Sequence, residues 1–154
     1  MTVAKPETAA EGASREAEWA ARDAANLRWL ERTFEEAREE HAKGVVLLFQ
    51  ADMWNQGDRD SGIDFSAFTT FVERIAALSA QFGKPVLMVN GDSHDLRVNA
   101  GVPWFSLFNV TPPANVTQIV VDRSIEADVD WLKLTIDPKS PTLFSWQQQF
   151  VPLP

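Results

Sequence analysis

Chemistry in this chain concentrates at Gly91-Asp92-Ser93-His94-Asp95, directly after the apolar run Pro85-Val86-Leu87-Met88-Val89-Asn90. An aspartate, a spacer and a histidine on a tight turn can aim a carboxylate oxygen and an imidazole nitrogen at one point, a mixed donor pair that zinc, manganese or iron accepts. Asp92 and His94 are therefore candidate metal ligands. His94, one of only two histidines, is also the candidate catalytic residue. Asp52 closes a second apolar run, Val45-Val46-Leu47-Leu48-Phe49, and with Gln50 it can supply further oxygen ligands or orient a water. The same residues also read as ordinary structure, with Gly91-Asp92-Ser93 a plain turn in which Asp92 bonds its own backbone and Asp52 a capping carboxylate. Spacing alone leaves both readings open.

Other chemistries find little support. The absence of cysteine removes disulfides, thiolate zinc sites and a thiol nucleophile, and leaves the redox compartment undecided. Ser93 adjoins His94 with no second histidine to serve as base, and no Gly-x-Ser-x-Gly elbow, phosphate-binding loop or dinucleotide glycine motif occurs. Asp122, Glu126, Asp128 and Asp130 make an acidic turn without ligand spacing.

The elements that must position these residues follow from periodicity. Ala20, Ala24, Leu27, Leu30, Phe34 and Ala37 recur at three- and four-residue intervals, which predicts an amphipathic helix from Ala17 to Ala42 with Glu31, Arg32, Glu35, Arg38 and Glu39 on its wet face. His41 falls in its last turn as a structural residue favoured by the helix dipole, and Gly44 is the expected stop. Val45 to Phe49 reads as a strand buried on both faces of a parallel sheet. A polar loop from Asn55 to Asp64 leads to a second helix, Phe65 to Phe82, closed by Gly83, and the next strand starts at Lys84-Pro85. Strand, helix and strand form a right-handed parallel unit that brings Gln50 to Trp54 beside Asn90 to Asp95 at one sheet edge, where α/β sheets collect ligands. Trp54 and Trp104 can wall a pocket there, although loop aromatics beside a sheet more often lid the core. Val116 to Val121 and Val129 to Ile136 are expected to pair antiparallel across a short connection, with the proline-containing tail from Asp137 to Pro154 as an extended edge.

Length and composition suit one globular domain. Residues 1–15 read as a flexible tail and 16–154 as the domain, with 45% hydrophobic residues to build a core. A net charge of −8 opposes nucleic-acid binding, which needs basic surface to replace counterions. No segment approaches the roughly 20 apolar residues of a membrane span. The start lacks the apolar core of a secretory signal, so a cytoplasmic setting is the default expectation.

Three blocks, Val86-Leu87-Met88-Val89-Asn90-Gly91-Asp92-Ser93-His94, Asn115-Val116-Thr117-Gln118-Ile119-Val120-Val121 and Trp131-Leu132-Lys133-Leu134-Thr135-Ile136-Asp137-Pro138, resemble the carboxyl-terminal half of calcineurin-like metallophosphoesterases. The likeness is to a bacterial branch in which the usual Gly-His-x-His reads Gly-Asp-x-His, and it runs from Ala20 to Pro152. It implies part of an α/β/β/α sandwich whose strand ends carry two divalent metals and a bridging hydroxide for phosphate-ester hydrolysis. His94 then matches the last histidine of the motif, Asp92 the preceding ligand, and Gln50 to Asp52 a strand end that usually bears a further histidine. The family's Asp-x-His, Gly-Asp-x-x-Asp and Gly-Asn-His segments are not found before this region, so the chain offers at most Asp92, His94, Asp52 and Gln50 or Asn90, enough for one weakly held ion. The resemblance thus implies a hydrolase domain inactive or incomplete alone, or a non-catalytic binding module derived from that fold. A half sandwich should also expose edges and an apolar face. Ten Phe and six Trp fit that expectation, which points to self-association or docking on another chain.

Overall fold

A computed structural model gives the fold and describes residues 9–93, 96–122 and 129–151. Leu30 and Phe34 on helix α1 (Ala9–Glu39) are buried against the chain, while Trp19 and Trp29 on the same helix stay exposed. The helix starts well before Ala17, inside the stretch expected to be a tail. Alanine and glutamate propagate a helix on intrinsic propensity, and its first turns need no core contact to form. Its end also differs from expectation. His41 adopts the left-handed conformation (φ 55°) and the Ala42 N–H reaches back to the Ala37 carbonyl at 2.8 Å, so His41 is the stop. Gly44 serves close approach instead. A Cβ there would sit 2.7 Å from the Pro85 carbonyl oxygen and 2.9 Å from the Phe144 ring.

Strand β1 (Val45–Phe49) follows, then a one-turn helix α2 (Gln56–Asp60) capped by the Asn55 side chain within the expected loop. A 3₁₀ turn, Ser66–Phe68, feeds helix α3 (Thr69–Phe82), which ends on Gly83 at φ 69°. Strand β2 (Val86–Asn90) lies parallel to β1, with Val45 opposite Val86 and Phe49 opposite Asn90. The crossover unit read from the sequence is therefore present.

Beyond β2 the pairing departs from expectation. Strand β4 (Val116–Val120) adds to the other side of β2 in parallel, and a short strand β3 (Arg97–Ala100), unforeseen in the sequence, runs antiparallel beside it. The sheet order is β1-β2-β4-β3. Strand β5 (Val129–Ile136) pairs instead with β6 (Phe144–Val151), formed by the tail, in a separate antiparallel ribbon. The reason is burial: Val116 and Val120 on one face of β4 and Ile119 on the other are all buried, as an inner parallel strand requires, whereas Trp131, Ile136, Trp146, Phe150 and Val151 of β5 and β6 stay exposed, as in a ribbon at the margin of the core.

Alternation divides the core in two. Val45, Val86, Met88 and Val116 point to one face and pack with Phe34, Val72, Ile75, Phe82 and Phe105; Leu87 and Ile119 point to the other and meet Leu143 and Phe144, with Leu132 and Leu134 alongside. Helices thus cover one face of the mixed sheet and the β5–β6 ribbon covers the other. Phe34 and Phe82 pack edge to face at 5.8 Å, and Arg74 on α3 pairs with Glu31 on α1 at 2.6 Å. Among the described residues no helix is long and apolar enough to cross a membrane.

Candidate functional site

The carboxyl ends of β1 and β2 come together as the parallel register demands. Asp52, three residues past the end of β1, is almost wholly buried. Its Oδ2 accepts from the Ser93 hydroxyl at 2.5 Å and from Arg97 Nη2 at 2.6 Å, and its Oδ1 accepts from the Trp54 N–H at 3.3 Å. Arg97 Nη2 also donates to Ser93 Oγ at 2.6 Å. Asp92 faces the same loop from the opposite strand: Gln50 Nε2 donates to its Oδ1 at 3.1 Å and the Asp52 N–H to its Oδ2 at 3.2 Å. One network therefore ties the β1 loop, the β2 turn and the first residue of β3.

Local backbone geometry explains the choice of residue at position 92. The Ser93 N–H bonds the Gly91 carbonyl at 3.1 Å and Asp92 has φ 76°, a γ-turn in the conformation that costs an L-residue steric energy. Glycine would sit there more easily. The aspartate is held by the two donors that its carboxylate receives from Gln50 and Asp52 across the strand ends. Behind the turn, an amide ladder crosses the sheet: Asn99 Nδ2 donates to Gln118 Oε1 at 3.1 Å and Gln118 Nε2 to Asn90 Oδ1 at 2.9 Å, with Gln118 and Asn90 both buried. That ladder fixes the residue from which the turn departs.

The sequence-derived residues thus divide. Asp52, Asp92 and Gln50 converge, and Asn90 lies beneath them without joining the cluster of carboxylates. His94, together with Asp95, falls outside the described residues, as do Glu126 and Asp128 of the acidic turn. Trp54 is a core lid, its ring 5.3 Å from Phe105 and 6.3 Å from Phe49. Trp104 is half-buried and packs against the same core. Ser93 and Arg97 were not foreseen as partners of Asp52. The legible signal for Arg97 was a lone cation two residues past an acidic turn, on a strand too short to be recognised.

Fitness for a metal can be judged from the donors already in place. Each oxygen of Asp52 and Asp92 accepts at least one N–H or O–H, and an arginine neutralises Asp52 where a cation would otherwise do so. Among the described residues no group of three or more His, Asp or Glu is placed to hold an ion. These residues do not fit a two-metal centre. Two cavities adjoin the ribbon, an apolar one of about 380 Å³ between Leu48, Val89, Leu96, Trp131 and Leu134 and a second beside Pro85, Asn115 and Trp146; neither is lined by Asp52, Asp92 or Arg97. Chemically, the arrangement clamps a strained turn in one position at the carboxyl edge of the sheet. Comparison with known proteins adds no neighbour: no family model, curated protein or solved structure matches this chain.

Proposed function

We propose that this chain is a metallophosphoesterase-like hydrolase domain that lacks a self-sufficient metal centre, and that its strand-end turn faces a phosphate ester only when another chain supplies the missing ligands. The observation that carries this reading is the junction of Asp52, Ser93 and Asp92 across parallel β1 and β2, the position at which the resemblance sets a ligand cluster and at which open α/β sheets bind ligands. The layering agrees with it, since helices on one face and a ribbon on the other make part of an α/β/β/α sandwich. On this reading Asp92 and His94 are the residues offered to a shared divalent cation such as manganese, iron or zinc, and Asp52 positions them by fastening Ser93.

Incubation of the purified chain with manganese and a chromogenic phosphate ester tests the proposal. No turnover above buffer is expected from the chain alone, and any manganese left after dialysis is expected to fall in both Asp92→Asn and His94→Ala. Turnover that disappears in His94→Ala would overturn the incompleteness. Manganese retention indifferent to both substitutions would remove the metallophosphoesterase reading. A second reading, a non-catalytic binding module on the same scaffold, is favoured by the Arg97 guanidinium that neutralises Asp52 internally. It expects that indifference.

A further inference from the structure

Among the described residues β5 and β6 form a two-stranded sheet, with β6 paired on one side only. The phase of its ladder is set by one bond: the Asp137 N–H donates to the Leu143 carbonyl at 2.8 Å, and opposed pairs alternate between bonded and non-bonded along an antiparallel ribbon. Thr135 and Ser145, Lys133 and Gln147, and Trp131 and Gln149 therefore exchange bonds across the ribbon. Trp146, Gln148 and Phe150 direct their main-chain groups to the outer edge, where the Gln148 carbonyl accepts from Gln149 Nε2 at 3.2 Å, while the Phe144 N–H donates to the Thr142 carbonyl at 2.6 Å.

Soluble proteins guard such an edge with lysine, proline or a bulge. β6 reads Phe-Ser-Trp-Gln-Gln-Gln-Phe-Val, with no charge and no proline. In a chain of net charge −8, an uncharged eight-residue edge is where two copies can approach without repulsion. Its centre is also self-complementary: Trp146-Gln147-Gln148-Gln149-Phe150 reads aromatic, three glutamines, aromatic in both directions. Trp146 and Phe150 lie on the ribbon face that carries Phe144 into the core, yet Phe150 is 68% exposed and Trp146 37%.

We propose that β6 is the interface of a two-fold dimer, paired antiparallel with β6 of a second copy about an axis at Gln148. Trp146 of each copy then lies opposite Phe150 of the other in a main-chain-bonded pair, and the ribbons join as a continuous sheet β5-β6-β6-β5. An isologous interface requires this reciprocity of residue pairs. The proposal does not depend on the hydrolase reading.

Sedimentation equilibrium at high micromolar concentration tests it on the full chain, with the expected result twice the monomer mass. Phe150→Lys places a cation opposite Trp146 in both pairs and is expected to weaken dimerisation by about tenfold or more, with an unchanged circular dichroism spectrum. Because the chain has no cysteine, Gln148→Cys supplies an independent measurement: mild oxidation should cross-link it to its copy, since bonded antiparallel pairs have Cα atoms about 5.5 Å apart, within disulfide reach. Lys133→Cys should remain uncross-linked. A wild-type monomer would overturn the proposal. So would a dimer that Phe150→Lys leaves intact and Gln148→Cys does not cross-link, or a different polypeptide bound stoichiometrically along β6.

Discussion

Replacing Arg97 by methionine isolates the interaction on which the strand-end network rests. Methionine keeps an unbranched stem of similar length and removes the guanidinium that reaches Asp52 Oδ2 at 2.6 Å. Breaking a fully buried ion pair by deleting one member costs about 3–5 kcal/mol, because the remaining charge is left in a poorly solvated place. Here the Asp52 side chain is 1% exposed but that of Arg97 is 35% exposed, so water already screens one partner and enters when the arginine leaves. Discounted for that screening, a loss of about 2–3 kcal/mol is expected. For a domain of this length each kcal/mol moves the melting temperature by about 2–4 °C, which gives a fall of about 4–12 °C. Urea titration followed by circular dichroism should show the same loss as a lower midpoint at constant slope. The double variant Asp52→Asn with Arg97→Met removes the orphaned charge, while an amide oxygen still accepts from Trp54 and an amide N–H still reaches Ser93. It should recover about 1–2 kcal/mol relative to Arg97→Met alone, a coupling that a double-mutant cycle reads directly. A loss below about 0.5 kcal/mol for Arg97→Met, the level of an exposed pair, would refute the reasoning.

Three further perturbations test other parts of the structure. Gly44→Ala drives a Cβ against the Pro85 carbonyl and the Phe144 ring and should destabilise by about 1–3 kcal/mol in urea titration, with a neutral result showing that β1 and the ribbon can part. Gln118→Leu leaves Asn90 Oδ1 and Asn99 Nδ2 without their partner inside the sheet, a cost of about 1–3 kcal/mol, and should speed hydrogen exchange at the Asp92 and Ser93 amides; unchanged exchange would disconnect the ladder from the turn. The Asp64 carboxyl, which accepts from the Ser66 N–H and then the Ser66 hydroxyl, is held below the usual aspartate range by those bonds. Because its folded value lies below its unfolded one, its contribution is present above the unfolded value and lost as pH falls through the folded one. A carboxyl-carbon NMR titration should place its midpoint under that of an ordinary aspartate and, in Ser66→Ala, partway back.

Helices and parallel strands were legible because their apolar residues repeat with the period of the element. Val45 to Phe49 and Val86 to Asn90 are continuous runs bounded by Gly44 and Gly91, and the helix between them fixes both at neighbouring positions in one sheet. β3 was not legible. Arg97-Val98-Asn99-Ala100 offers four residues and a weak alternation, and it becomes a strand only because β4 presents an edge to it. The pairing of β4 failed for a related reason: a short connection suggests an antiparallel neighbour, but a strand apolar on both faces gains more by filling the interior of the sheet, and β5 was left to find its partner in the tail.

The candidate site shows the same division. Adjacent strands in parallel place their loops side by side, so the convergence of Asp52 and Asp92 needed only the crossover to be recognised. What each carboxylate does there could not be read from spacing, because a ligand and a structural acceptor have the same residue type and differ only in what faces them. For Asp52 the facing group is Arg97, which arrives on the antiparallel strand that the sequence conceals. Asp52 is held in place by a guanidinium from within its own domain, whereas Asp92, braced in a strained γ-turn by Gln50 and the Asp52 N–H, meets no cation among the described residues. On the proposed reading it is Asp92, and not Asp52, that is offered to a cation. That is why Asp92→Asn, rather than a substitution of the more deeply buried Asp52, separates a binding role for the turn from a purely architectural one.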